Sequence, residues 1–97
     1  MNYAFSLPTG WYITIGDELN TRLDDLVKRG GKVEQVKEKF GGLRVYVDRG
    51  GDEDNLDFNV DDLDKVCQNT CMECGMSGTM TTKRGWIGPR CEDHSGS

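Results

Sequence analysis

Histidine, proline and long apolar runs are scarce in this sequence. The chain of 97 residues has one histidine, two prolines and a hydrophobic fraction of 35%, which is low for a globular protein. No apolar run approaches the roughly 20 residues that cross a bilayer, and the first residues lack the basic start and long apolar centre of a signal peptide. We therefore expect a cytoplasmic protein with no membrane partner.

The shortage of apolar residues also limits the core. A chain of this length forms one domain, which buries only about 65% of the surface that the unfolded chain exposes. The core of such a domain is marginal, so the fold gains from an added cross-link such as a metal ion or a disulfide.

The net charge is −5, and the acidic residues are concentrated in one part of the chain. Residues 51–70 hold seven of the seventeen Asp and Glu residues and one basic residue, Lys65. Asp61 and Asp62 suit the positive end of a predicted helix, but Asp52, Glu53 and Asp54 have no such local reason. Together with Asp57 they make up the loop carboxylates. They form either a solvated loop or a docking surface for a partner protein with a basic surface.

Apolar periodicity predicts two helices. Thr14 and Asp17 resemble a capping box at the start of the first helix, and Gly30 supplies a left-handed stop. The second, shorter helix follows Asn59, which is a suitable cap. Residues at spacings of three and four form the apolar faces of the two helices: Ile15, Leu19, Leu23, Leu26 and Val27 in the first, and Val60, Leu63, Val66 and Cys67 in the second.

Alternating residues predict strands between the helices and again near the end of the chain. Residues 43–47 alternate apolar and polar, and Gly41-Gly42 favours a hairpin turn between them and a less regular strand before. Lys37, Lys39 and Arg44 then share the exposed face, which we interpret as solvated rather than as a ligand patch, with Phe40 folded into the core. Residues 79–90 predict two more short strands that turn at residues 83–85.

Four side chains of the metal-ligand type occur as two pairs. Two residues separate Cys71 from Cys74 and Cys91 from His94, and sixteen residues lie between the pairs. The two-residue gap lets both members of a pair reach one ion, and Gly75 permits a tight turn. Thiolates with one imidazole favour zinc, so the spacing predicts one structural Zn²⁺ in a zinc ribbon. Two disulfides are the alternative, but they would leave His94 unexplained.

The ligand set argues against catalysis. Four protein ligands close the coordination sphere of a metal, and His94 is the only histidine, so no imidazole remains as a general base. We therefore expect no enzyme. Cys67 lies on the apolar side of the second helix, where a buried, inert thiol is the simplest interpretation.

These elements predict the α+β class. The N-terminal helix packs on a β-hairpin in residues 1–50, an acidic loop follows at 51–58, and a second short helix leads into the zinc ribbon in residues 59–97. We expect the whole chain, residues 1–97, to form a single small domain.

Three segments together resemble a group of small uncharacterised proteins of bacteria and their phages. They are GWY at residues 10–12, VKEKFGGLRVYV at residues 36–47, and CMECG with GWIGPRCEDH at residues 71–75 and 85–94. Similar members join a GWY-led helix to a KEKFGGLR hairpin and end in a zinc module. The resemblance implies the same four metal ligands, and it carries no activity with it.

Two functions are compatible with this sequence. The first is a non-enzymatic protein that acts through protein–protein contacts, such as a phage-encoded modulator or inhibitor of a host protein in the host cytoplasm. The second is a nucleic-acid-binding zinc ribbon. Its contacts would come from Lys83, Arg84, Trp86 and Arg90. We favour the first, because the footprint of basic residues is small and Trp86 is interpreted as a ribbon-core residue over the metal site.

Overall fold

The structure is a computed structural model that describes residues 1–48 and 58–95. A short 3-10 helix, Ala4–Ser6, precedes the main elements. These are α1 (Thr9–Lys28), β1 (Lys32–Lys39), β2 (Gly42–Asp48), α2 (Asp61–Gln68), β3 (Thr79–Lys83), β4 (Trp86–Arg90) and α3 (Glu92–Ser95). The predicted α+β class, with a helix, a hairpin, a second helix and a second hairpin, is confirmed. Residues 51–57 of the predicted acidic loop lie outside the described residues.

Helix α1 begins six residues earlier than the predicted cap at Thr14 implies. It starts at Thr9, directly after Pro8, and the predicted capping box at Thr14 is wrong. The Thr14 hydroxyl instead donates to the Gly10 carbonyl inside the helix, at 2.8 Å. Glycine, threonine and aromatic residues are weak helix formers, so the first turn lacks a local signal and depends on tertiary contacts. The stop at Gly30 is confirmed, with φ of 98°.

The core lies between α1, the β1–β2 sheet and α2. The predicted apolar face of α1 is buried except for Val27, and on α2 Leu63 and Cys67 are buried while Val66 is exposed. Val27 and Val66 border the apolar stripes, where spacing alone does not separate core from rim. The buried cluster comprises Ala4, Leu7, Trp11, Ile15, Leu19, Leu23, Leu26, Val36, Leu43, Leu63 and Cys67.

Strands β1 and β2 pair in antiparallel register, with Val36 opposite Val45 and Lys37 opposite Arg44. A register shift lies between Val33 and Gln35. Helix α2 is tied to this sheet by the Leu43 N–H, which donates to Asp64 Oδ1 at 2.8 Å. Among the described residues, no helix is both long enough and apolar enough to cross a membrane.

Both hairpins close with two-residue turns in which both residues have positive φ. The β3–β4 turn at Arg84-Gly85 was predicted, but the β1–β2 turn lies at Phe40-Gly41, one residue before the predicted position. A Cβ atom at Gly41 would lie 2.7 Å from Met80 Sδ and 3.0 Å from Gly88 Cα, so the tip of this turn packs closely against the second hairpin.

Phe40 occupies a backbone conformation that an aromatic residue rarely adopts. Its φ is 53°, and a left-handed conformation costs an L-residue about 1–2 kcal/mol. Asparagine tolerates this conformation and is favoured before glycine in such turns. We therefore expect Phe40→Asn to raise the free energy of unfolding by about 1 kcal/mol in a urea titration.

Phe5→Asn is the matched control, because Phe5 is equally exposed and has an ordinary backbone. It should leave the free energy of unfolding nearly unchanged. A loss of stability in Phe40→Asn would show that the phenyl ring contributes packing that outweighs its backbone strain.

Candidate metal centre

The two predicted ligand pairs meet in one cluster. The ligand atoms of Cys71, Cys74, Cys91 and His94 all lie within 4.8 Å of one another. Cys91 Sγ is 3.1 Å and Cys71 Sγ is 3.5 Å from His94 Nδ1, and Cys74 Sγ is 3.6 Å from Cys91 Sγ. All the cysteines are free thiols, so the disulfide alternative does not describe this structure. The cluster could hold a metal ion.

Two separate pieces of the chain supply the ligands. Cys71 and Cys74 lie in a tight turn after α2, which we call the ligand turn (residues 71–75). The Gly75 N–H donates to the Cys71 carbonyl at 3.0 Å, and Gly75 has φ of 85°. Cys91 follows β4, and the first turn of α3 brings His94 back beside it, with the His94 N–H donating to the Cys91 carbonyl at 3.1 Å.

The first turn of α1 packs directly on the ligand turn. The Gly10 N–H, which has no partner inside the helix, donates to the Met72 carbonyl at 2.9 Å. The fully buried Trp11 donates from Nε1 to the Thr70 carbonyl at 3.1 Å. A Cβ atom at Gly10 would overlap the Cys71 carbonyl oxygen and lie 2.5 Å from the Gly75 nitrogen. Gly10 and Trp11 therefore position the site, a role that our sequence reasoning missed.

The second hairpin holds the other side of the ligand turn. The Met72 N–H donates to the Pro89 carbonyl at 3.0 Å, and the Cys71 N–H donates to the Met76 carbonyl at 2.7 Å. These bonds fix the backbone on both sides of the Cys71 thiol. The ligand turn is thus held between α1 and β4 by main-chain contacts, which leaves little freedom in the ligand positions.

The local electrostatics favour a thiolate at Cys71. Burial raises the pKa of this thiol, but hydrogen bonds from the backbone N–H groups of Cys91, Glu73 and Cys74 outweigh it and lower the pKa to about 6. For Cys74, a hydrogen bond from the Met76 N–H lowers the pKa, yet burial and the neighbouring sulfurs of Cys91 and Cys71 leave it raised. Several sulfurs so close together favour a cation at the centre over separate thiolates.

Arg90, which the sequence offered as a nucleic-acid contact, is buried inside the second hairpin. It is only 7% exposed. Its Nη1 donates to the carbonyls of Thr81 and Trp86, each at 3.2 Å, and these bonds hold the second hairpin together. The Lys83 ammonium donates to the His94 carbonyl at 3.1 Å, so it links β3 to α3.

Trp86 is not a core residue over the metal site, contrary to our interpretation. Its side chain is 75% exposed, and Pro89 takes the buried place beside the ligand turn. Phe40, which we expected in the core, is 72% exposed. Both residues line one cleft of about 270 Å³ between the turns of the two hairpins. Arg84, at the tip of the second turn, is exposed beside them.

The acidic residues of α2 contribute to the fold. Asp62 accepts two hydrogen bonds from Arg22, both at 2.7 Å. The hydrogen bond from Arg22 lowers the pKa of Asp62 to about 2. Asn59 Oδ1 accepts from the Asp61 N–H at 2.7 Å, at the start of the helix. The loop carboxylates predicted as a docking surface lie outside the described residues: Asp52, Glu53, Asp54 and Asp57.

Comparison of the chain with protein-family models, with curated proteins and with solved structures finds no match. The resemblance to bacterial and phage proteins therefore stays a prediction.

The close approach at Gly10 predicts opposite effects for two glycines of α1. Gly10→Ala should lower the free energy of unfolding by about 3 kcal/mol or more, because the atoms that its methyl group meets belong to the backbone and cannot rotate away. Gly16→Ala adds a methyl group 3.4 Å from the half-exposed Tyr12 ring and should stabilise the helix by about 0.5–1 kcal/mol. Chemical denaturation followed by circular dichroism measures both changes. Equal effects of the two substitutions would contradict this account.

Cys67 is predicted to be unreactive. Burial raises the pKa of its thiol to about 12, with a further rise from Asp64, so almost no thiolate exists at pH 8. In the folded protein, iodoacetamide should leave Cys67 unmodified, as peptide mass mapping can show. The same protein in guanidinium serves as the control, in which Cys67 becomes alkylated. Rapid labelling of Cys67 without unfolding would mean that the α2 face opens readily.

Proposed function

We propose that the chain is a non-enzymatic binding protein whose fold is cross-linked by one structural zinc ion. The observation that carries this proposal is the closed set of three thiols and one imidazole. That set joins the turn after α2 to the end of β4 and to α3, and the start of α1 rests on it. A bound ion would therefore connect most elements of the fold.

The donor set and its spacing suit zinc. Zinc prefers tetrahedral sites built from thiolate and imidazole, with Zn–S distances of about 2.3 Å. A tetrahedron with arms of that length has edges of about 3.8 Å. Three of the six separations between ligand atoms are 3.1–3.6 Å, and all six are within 4.8 Å, so shifts of about 1 Å or less would bring the ligands to this geometry.

The site has the features of a structural metal centre. A catalytic zinc keeps a position open for water, whereas four protein ligands fill the coordination sphere. Cys71 is buried, and backbone N–H groups donate to its sulfur, as is usual around structural sites. His94 is the only histidine of the chain, so its use as a ligand leaves no imidazole for proton transfer.

The small core explains why a metal is needed. Binding of a structural zinc supplies on the order of 10 kcal/mol of folding free energy, which equals the whole stability of a typical domain. Without the ion, this contribution to the free energy of folding is absent. We therefore expect the metal-free chain to lose the arrangement of residues 70–95.

The binding role is supported by the exposed aromatic residues of the two hairpin turns. Large apolar side chains at the surface, rimmed by polar groups, mark interaction sites. Phe40 and Trp86 fit this description. Docking to the basic surface of a host protein through the loop carboxylates stays a prediction, because those residues lie outside the described part of the chain.

Native mass spectrometry tests the metal proposal. The purified protein should carry one equivalent of zinc, and removal by a strong chelator should abolish its cooperative thermal transition. Cys74→Ser should lose the zinc and the transition together. A protein that melts at the same temperature with and without the chelator would refute a structural role for the ion.

Cys67→Ala provides the matched control. Cys67 is also a cysteine and is also buried, but it lies outside the ligand cluster. This variant should keep one equivalent of zinc, with only a modest loss of stability from the cavity. Zinc loss in Cys67→Ala would place Cys67 among the ligands.

A further inference from the structure

The cleft between the two hairpin turns has the character of a ring-binding site. Phe40 and Trp86 line it together with Lys39 and Glu38, and its volume of about 270 Å³ is slightly below the usual range for small-molecule pockets, which begins at about 300 Å³. We propose that this cleft receives an unpaired base of a single-stranded nucleic acid, whose phosphates bind the basic face of β1–β2. This inference rests on the proposed function, because Trp86 lies on the second hairpin, which a bound zinc ion would hold in place.

Each of the two turns has a residue with an unfavourable backbone conformation beside the cleft. Phe40 and Arg84 both have φ of 53°, a conformation in which glycine or asparagine would be more stable. Phe40 gains little burial in return, because it is 72% exposed. A strained backbone that holds an exposed aromatic ring indicates a functional constraint at that position.

The basic face begins at the cleft and continues along the sheet. Lys37 and Lys39 are two residues apart in β1, so they share one face, and Arg44 lies opposite Lys37 in the register. Glu38, which lies between the two lysines in β1, also lines the cleft, and its Oε2 accepts from the Gly41 N–H at 2.8 Å. Among the described residues, these three cations form no ion pair with a carboxylate.

Aromatic and basic side chains alternate along this face. Beyond Lys39, the Lys37 ammonium lies 5.6 Å from the centroid of the Tyr46 ring, and Tyr46 is itself partly exposed. Rings that stack bases beside cations that hold the backbone are the usual elements of sequence-tolerant single-strand binding. Lys37 and Lys39 are separated by about 6.7 Å along the strand, close to the spacing of successive phosphates in an extended strand.

This combination favours a nucleic acid over an acidic peptide. A peptide carboxylate would satisfy the cations, but two exposed rings around one narrow cleft suit a planar partner that can stack. The net charge of −5 opposes any polyanion. We therefore expect weak binding, with a Kd on the order of 10⁻⁵ M at low salt, and a steep loss as salt is added.

Fluorescence anisotropy with the zinc-loaded protein tests the proposal. The probes are labelled oligo-dT and oligo-rU of about 12 nucleotides, which distinguish DNA from RNA as the source of the base. Three phosphate contacts predict a slope of log K against log salt of about −2. Phe40→Ala and Trp86→Ala should each weaken binding at least about fivefold, the lower limit for loss of one base stack. Lys39→Gln should reduce the slope by about 0.7.

Matched controls come from elsewhere on the surface. Phe5 is 75% exposed, like Trp86, and Lys28 is an exposed lysine at the end of α1. Phe5→Ala and Lys28→Gln should leave binding unchanged apart from a small general effect of charge. If they weaken binding as much as the cleft variants do, association is non-specific and the proposed site is overturned.

Two further outcomes would also overturn the inference. One is the absence of salt-sensitive binding to either oligonucleotide below 10⁻⁴ M. The other is binding only of a tryptophan-containing oligo-glutamate peptide, sensitive to Trp86→Ala, which would assign the face to a protein partner. Zinc content and melting temperature are measured on the same samples. One equivalent of zinc without oligonucleotide binding refutes this site and leaves the proposed function intact.

Discussion

The close backbone contact between the first turn of α1 and the ligand turn is the constraint on which the rest of the structure depends. Gly10 allows the approach because it has no side chain, and Trp11 secures it with a buried hydrogen bond to Thr70. This contact connects α1, the longest helix, directly to the turn that carries two residues of the Cys₃His cluster. The core and the cluster are therefore parts of one cooperative unit, and changes that weaken either should be felt by the other.

A second close backbone contact, between the two hairpins, forms the cleft on the surface. Gly41 packs against Gly88, and this contact brings the turn of the first hairpin beside the turn of the second. Neither hairpin alone would form the cleft, because its aromatic residues come from different sheets. A metal ion bound by the cluster would act on this surface indirectly. It would hold the end of β4 and the ligand turn, and Met72 of that turn donates to the Pro89 carbonyl of the second hairpin.

The sequence reveals the features that depend on local spacing. Periodicity predicts the helices, alternation predicts the strands, and two-residue gaps predict the four clustered ligands. It does not reveal the features that depend on distant partners. The start of α1 is held by Met72 and Thr70, some sixty residues away, and the tip of the β1–β2 turn packs against Gly88 of the second hairpin. The burial of Arg90 and the exposure of Trp86 are likewise products of tertiary packing. The sequence does not show whether a basic or aromatic side chain lies exposed on a binding surface or is buried inside a hairpin.

The two tryptophans have a practical consequence. Trp11 is fully buried and hydrogen-bonded beside the ligand turn, whereas Trp86 lies in contact with solvent at the cleft. Their indole emission should therefore differ in wavelength and in access to a soluble quencher such as iodide. The protein thus carries two intrinsic optical reporters, one for the integrity of its interior and one for the occupancy of its surface. Each can be followed separately, without a label, in variants that replace the other tryptophan with phenylalanine.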